Sequence, residues 1–118
     1  MNSWVIVNLG GTVGVDLLIL GPYATFDEAI QGAVGTGQPW LWCPCQVWGP
    51  GPTVPGGVPA PQSVSPGAWL AVAPGSPAAP GLQLIGYGTF PNKDSAEAWA
   101  NGQKIPQFYQ FGEVVAGL

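Results

Sequence analysis

Two parts of this chain carry the same order of sequence signals, and this internal repeat limits the folds open to it. The segment "SWVIVNL" (3–9) matches "AWLAVAP" (68–74), and "LLILGPYATF" (17–26) matches "LQLIGYGTF" (82–90). A short helical pattern and a third apolar segment follow in each half. One unit this small buries too little apolar surface to be stable alone, so we expect the two units to pack together.

The repeat predicts an α+β fold in a single domain spanning residues 1–118. Repeat 1 covers residues 3–48 and repeat 2 covers residues 68–116, and each reads strand, strand, helix, strand. We expect two tandem ββαβ repeats forming six mostly antiparallel strands, in one sheet or two abutting sheets, with two short helices on one face. The run Leu17–Leu20 is apolar on both sides, which predicts a central strand.

Both helices have recognisable start signals. Thr25 and Glu28 fit a capping box, and Ala29, Ile30 and Ala33 would then share one helical face. In the second half, the segment 94–97 ("DSAE") is assigned the same capping role. Glycines between 32 and 37 and at 102 predict the helix ends.

The connection between the repeats, residues 49–67, is uncharged and dominated by proline and glycine. Such a segment forms neither a helix nor a central strand. Two interpretations stay open: a disordered linker, or an extended arm that packs along a neighbouring subunit.

Charge excludes several classes of partner. Only 7% of the 118 residues are charged, there is no Arg or His, and the net charge is −4. Nucleic acids and anionic membrane surfaces need clustered basic residues, so neither is expected as a partner. Neither a signal peptide nor a transmembrane helix is expected from the N-terminal segment. So few charges favour a chain that covers much of its surface in an assembly.

The stretch "PWLWCPCQVW" (39–48) concentrates aromatic residues. In a strand, Trp40, Trp42 and Trp48 would share one face with Gln46, unless Pro44 introduces a bulge that shifts this phase.

In the second half, Tyr109 and Phe111 are assigned the places of Trp40 and Trp42. With only two short helices, we expect one aromatic face to lack a cover within the chain. Three interpretations of the aromatics stay open: core filling, a sugar or peptide site, or a protein–protein interface, for which Trp40, Trp42, Trp48, Tyr109 and Phe111 are the candidate residues.

Cys43 and Cys45 fit a metal site poorly, because zinc sites use four ligands and C-x2-C spacing. Reduced core cysteines are the favoured interpretation, and an intermolecular disulfide or a local redox pair are the alternatives. No catalytic, cofactor-binding or metal-binding residues are assigned. Without histidine the usual general base is missing, and the acidic residues are explained as turn or cap residues, so no enzymatic activity is expected.

The element "GPYATFDEA" (21–29), between an apolar strand and a short helix, resembles one in small virion-associated proteins of actinobacterial phages. In the second half, "GYGTFPNKDSAEA" lacks the proline and is interpreted as carrying an insertion. The resemblance implies a structural virion protein, either a capsid decoration protein or a minor tail or tail-tip protein. Its partners would be copies of itself or other virion proteins. The alternative is a soluble module that binds a host-surface glycan or peptide through exposed aromatics.

Overall fold

The computed structural model of the chain describes residues 2–10, 16–49, 61–74, 84–103 and 109–116. Its elements, in chain order, are β1 (Trp4–Asn8), β2 (Leu17–Tyr23), α1 (Phe26–Gly35), a 3-10 turn (Pro39–Leu41), β3 (Trp42–Trp48), β4 (Trp69–Pro74), β5 (Leu84–Phe90), α2 (Lys93–Asn101) and β6 (Gln110–Ala116). The α+β class is therefore confirmed. Most of the predicted hairpin turns, residues 50–60 of the connection and residues 106–108 before β6 lie outside the described residues.

The six strands form a closed barrel in the order β1-β2-β6-β4-β5-β3. Four neighbouring pairs are antiparallel, and two, β2 with β6 and β3 with β5, are parallel. The expectation of mostly antiparallel pairing is confirmed. The strands form one sheet, which is one of the two expected arrangements, but its closure into a barrel was not predicted: β3 pairs with both β1 and β5 and closes the ring. Closure leaves no unpaired sheet edge.

Apolar side chains from all six strands fill the inside of the barrel, as expected for a barrel of this size. The buried members of this core are Val5, Val7, Ile19, Cys45, Val47, Val64, Leu70, Val72 and Val114, with Leu17 and Leu84 packed against them. Gly112 lets β6 lie close to β2, since an added Cβ there would come within 2.6 Å of the Leu17 carbonyl oxygen.

Both helices lie on the outer face of the barrel, each over the strands of its own half. Helix α1 contacts β1, β2 and β3, and α2 contacts β4, β5 and β6. Ile6, Ala29 and Ala33 are buried under α1, whereas Ile30 is exposed. Two separate small cores therefore form outside the barrel, one beneath each helix.

The start of α1 agrees with the capping-box prediction. Thr25 Oγ1 accepts a hydrogen bond from Glu28 N at 3.1 Å, and Glu28 Oε2 accepts one from Ala24 N at 3.0 Å. The first bond satisfies a backbone donor that a helix start leaves without a partner, and the second joins Glu28 to the residue before the N-cap.

The start of α2 differs from the prediction. Asn92 is the N-cap, and its Oδ1 accepts a hydrogen bond from Ser95 N at 2.8 Å. Asp94 lies inside the first turn, so assigning the cap to Asp94 is wrong. Glu97 lies farther along the helix, 3.7 Å from Lys93.

The two halves pair their strands in the same way. Trp4 on β1 faces Tyr23 on β2 and Gln46 on β3. In the second half the corresponding strand pairs are Trp69 with Phe90 and Trp69 with Glu113. Each hairpin also has a register shift directly after its tryptophan. This register assigns each position of the first half a counterpart in the second.

The counterparts correct one reading of the sequence. By register, Gly21 corresponds to Gly88 and not to Gly86. The segment between this glycine and the helix therefore has the same length in both halves, and the second half carries no insertion there. Both glycines make the same close approach: an added Cβ would lie 3.3 Å from the Trp4 carbonyl oxygen at Gly21, and 3.0 Å from that of Trp69 at Gly88.

The described end of the connection packs on its own barrel. Pro61 forms an isolated bridge with Trp48, and Gln62 N donates to Val47 O at 2.8 Å. Val64 N donates to Asn2 O at 2.9 Å, and the Val64 side chain is buried in the barrel core. Neither interpretation of the connection predicted this contact with its own chain.

Candidate functional site

The structure places the five candidate aromatics in different environments. Trp40 lies in the 3-10 turn before β3, and 72% of its side chain is exposed. All six tryptophans belong to the described residues. Trp40 is exposed, whereas the other five are buried or partly buried. It therefore offers an apolar side chain that its own chain does not cover.

Trp42 and Trp48 are covered by their own chain. Trp42 packs into the small core beneath α1. Trp48 is buried, its indole Nε1 donates to Gln46 Oε1 at 3.1 Å, and its ring meets that of Tyr87 edge-on at a centroid distance of 6.4 Å. The register from Trp42 to Gln46 is regular, so the predicted alternation along β3 is confirmed and Pro44 introduces no bulge.

Tyr109 and Phe111 pack into the small core beneath α2. Trp99 lies at its centre, with ring centroids 5.1 Å from Tyr87, 5.8 Å from Phe90 and 5.3 Å from Tyr109. The expectation that an aromatic face lacks a cover is therefore wrong for these residues, because α2 supplies Trp99. Trp99 is not among the candidate residues predicted from the sequence.

The register also corrects the pairing of aromatic positions. Since Gln46 corresponds to Glu113, Tyr109 corresponds to Trp42 and Phe111 to Pro44. Trp40, which precedes β3, therefore does not share a place with Tyr109.

A groove of about 390 Å³ lies between α1 and the outer face of β2. Its volume is within the range of about 300–1,000 Å³ found for ligand pockets. This α1 groove is lined by Leu20, Tyr23, Glu28, Gln31, Gly32, Gly35 and Thr36. Its floor is apolar, and the Tyr23 hydroxyl lies over Gly32, where an added Cβ would collide with it.

Apolar side chains extend the surface beside the groove. Leu20, which lines the groove, is paired with Val115 of β6, and Leu18 lies two positions away on the same outer face. Leu18 is 48% exposed and Val115 is 46% exposed. The prediction of a central strand at Leu17–Leu20 is confirmed, because β2 pairs with both β1 and β6, but its outer face is exposed at Leu18.

Their counterparts by register are covered. Ile85 corresponds to Leu18 and is 0% exposed, and Trp48 corresponds to Val115 and is 3% exposed. The outer surface is thus exposed where β2 pairs with β6 and buried where β5 pairs with β3.

Both cysteines point into the barrel from β3 and are present as buried thiols. Burial raises the pKa of the Cys45 thiol far above its ordinary value of 9.0, and the nearby Cys43 raises it further. Burial also raises the pKa of Cys43. A thiol kept protonated is a poor nucleophile and a poor metal ligand.

Glu28 is the charged residue among those that line the α1 groove. Lys93 Nζ lies 2.7 Å from Asp16 Oδ1, which links α2 to the residue before β2. Among the described residues, no group of three or more acidic or cysteine side chains is placed to hold a metal ion.

Comparison with known proteins gives no relative: no protein-family model, curated protein or solved structure matches this chain. Within the described ranges, neither helix is long and apolar enough to cross a membrane.

Proposed function

We propose that this chain is a non-enzymatic structural protein of a bacteriophage particle, either a capsid decoration protein or a minor tail or tail-tip protein, located in the virion. It acts through protein–protein interfaces with copies of itself or with other virion proteins. The observation that carries this proposal is an uncovered apolar surface formed by Trp40, the α1 groove and Leu18 of the N-terminal half and by Val115 of β6.

The low charge supports an assembly role. Exposed apolar patches on a soluble chain mark sites where a partner binds. No charged residue occurs between Glu28 and Lys93. A partner that covers this part of the chain therefore desolvates few charged groups. Interface cores are depleted in charged residues and enriched in tryptophan and tyrosine, as this surface is.

The chemistry of the acidic groups supports a non-enzymatic role. Asp16 and Glu97 pair with Lys93, and the Glu28 carboxylate accepts the Ala24 N–H at the start of α1. These carboxylates therefore have structural partners.

We also propose that the two halves are copies of one ββαβ unit related by a pseudo-twofold axis. The support is the matched pairing: β1, β2 and β3 make the same antiparallel and parallel pairs as β4, β5 and β6. The N-caps Thr25 and Asn92 also fall at corresponding positions after β2 and β5.

A second candidate function is a soluble module that binds a host-surface glycan or peptide. The observation that favours it is the α1 groove, where the Tyr23 ring lies beside the polar side chains of Gln31, Thr36 and Glu28. An aromatic ring next to hydroxyl and amide groups is suited to a sugar, which offers an apolar face and several hydroxyls.

Light scattering on the purified full chain, over a wide range of concentrations, tests the first proposal. We expect oligomers, or a mass that rises with concentration. A monomer at every concentration that also fails to bind other virion proteins would contradict it. Titration of a monomeric sample with cell-wall sugars, followed by tryptophan fluorescence, tests the second. A shift that Trp40→Ala or Tyr23→Ala removes supports the glycan-binding function.

A further inference from the structure

We propose that the Trp40 indole of one copy of this chain docks into the α1 groove of a second copy. The inference rests on the proposed structural function and names the partner that this surface takes. It is carried by two observations, a difference between the two halves at one helix position and the exposure of Trp40.

The helix position is Gly32 in α1 and Trp99 in α2. These two residues stand at the same place relative to the N-caps Thr25 and Asn92. In the second half, the Trp99 side chain covers the outer face of β5 and stacks among the aromatic rings beneath α2. In the first half, the Tyr23 hydroxyl lies where a Cβ at Gly32 would stand, and both residues line the α1 groove.

The neighbours of the missing side chain are retained. Tyr87 and Phe90, which contact the ring of Trp99, correspond by register to Leu20 and Tyr23, which line the groove. Tyr109, the third ring around Trp99, corresponds to Trp42 in the small core beneath α1. The first half therefore lines its groove with the counterparts of Tyr87 and Phe90, two residues that contact the Trp99 ring, but has glycine in place of the tryptophan.

The rim of the groove suits the polar edge of an indole. The indole N–H is a donor only, and it needs an acceptor when it is buried. The side chains of Gln31 and Glu28 at the groove supply acceptor oxygens. A docked indole would thus be buried against Leu20 and Tyr23 without leaving its donor unpaired.

A second copy can supply the indole. Trp40 is 72% exposed and does not line the groove of its own chain. The segment around it, residues 36–42, carries no charge, so a copy can approach without bringing like charges together. Exposed Leu18 and Val115 beside the groove extend the apolar area that the second copy would cover.

Two variants test the contact from both sides. Trp40→Ala removes the docking side chain, and Gly32→Trp fills the groove from within its own chain, as Trp99 does in the second half. Each variant is expected to weaken self-association, measured by light scattering or sedimentation, by about 30-fold or more, as buried aromatic anchors do. Val34→Ala, which shortens another exposed side chain near the end of α1, is the matched control and is expected to change the dissociation constant by less than about threefold.

Mixing the two variants gives a direct test of complementarity. Trp40→Ala keeps an open groove, and Gly32→Trp keeps the exposed tryptophan, so the mixture can form a contact that neither variant forms alone. We expect the mixture to associate more tightly than either variant. A mixture that associates no more tightly than the separate variants would overturn the proposal.

Gly32→Trp requires the Tyr23 side chain to move, so its fold is checked by circular dichroism and thermal unfolding. If it fails to fold, binding of N-acetyl-tryptophanamide to the Trp40→Ala chain replaces the mixing test. We expect NMR shift changes at Tyr23, Gly32 and Gly35, and their absence would overturn the proposal.

The outcomes also separate this inference from the proposed function. If the wild-type chain self-associates but Trp40→Ala and Gly32→Trp associate equally tightly, the docking contact is wrong and the structural function stands. If the wild-type chain stays monomeric and binds another virion protein through this surface, the second copy is the wrong partner. If it binds neither itself nor virion proteins, both the docking contact and the proposed structural function are wrong.

Discussion

At the scale of single residues, neighbouring tryptophans in one uncharged stretch have opposite surroundings. Trp40 and Trp48 are close in sequence, yet one is mostly exposed and the other is buried. The difference arises because Trp40 precedes β3 in a 3-10 turn, whereas Trp48 ends β3 and is covered by Tyr87 and by the bridge to Pro61. The residue type alone does not distinguish these two tryptophans. The secondary-structure element that carries each one decides whether its ring packs against its own chain or stays exposed.

Cys45 gives a pH-dependent prediction at this scale. Its thiol is fully buried in the barrel, and burial raises its pKa above the ordinary 9.0. Below pH 9 both the folded and unfolded chains carry the neutral thiol. Above it, the unfolded chain loses a proton that the folded chain keeps, so the free energy of unfolding falls by up to about 1.4 kcal/mol per pH unit.

Urea unfolding between pH 7 and 10 measures this loss. Cys45→Val keeps an apolar side chain in the core and removes the titrating group, so its stability should fall less steeply above pH 9. Cys43 and the tyrosines titrate in both chains and cancel in the comparison. Equal slopes for the two chains would contradict the prediction.

At the scale of elements, local signals set where helices begin. Both helices start at a side chain that accepts a backbone N–H three residues on, from Thr25 in α1 and from Asn92 in α2. The second cap was misplaced because Asp94 and Ser95 are also good capping residues, and the sequence offers several candidates within four positions. The end of β5 at Phe90 selects Asn92 among them.

The corrected cap predicts an order of effects. Asn92→Ala should lower the free energy of unfolding by about 1 kcal/mol, because the Ser95 N–H loses its partner. Asp94→Ala should cost less, about 0.3–0.5 kcal/mol, because Asp94 lies in the first turn of α2 and interacts favourably with the helix dipole. Chemical denaturation of the two variants at neutral pH measures both, and a larger loss for Asp94→Ala would show that Asn92 is not the cap.

At the scale of the whole molecule, the barrel is closed by contacts far apart in sequence. The parallel pairs β2 with β6 and β3 with β5 each join one half to the other, and Val64 from the connection packs into the shared core. The two halves therefore contribute to one core, and neither half has a complete core of its own.

Val64 tests this role of the connection. Val64→Ala removes buried methyl groups from the core and should lower the free energy of unfolding by about 2 kcal/mol. Val34→Ala makes the same chemical change at an exposed position and should stay within about 0.5 kcal/mol of the wild type. Equal effects in denaturant unfolding would mean that residues 61–67 do not stabilise the barrel.

The sequence by itself determined the order of elements, the strand alternation in "WCPCQVW" and the α1 cap, because these depend on period-2 patterning and on side chains a few residues apart. Only the tertiary structure decided barrel closure, the register that relates Gly32 to Trp99, the burial of Val64 and the exposure of Leu18. Those features depend on which strands from opposite halves become neighbours, and pairing between distant segments leaves no local signal in a single sequence.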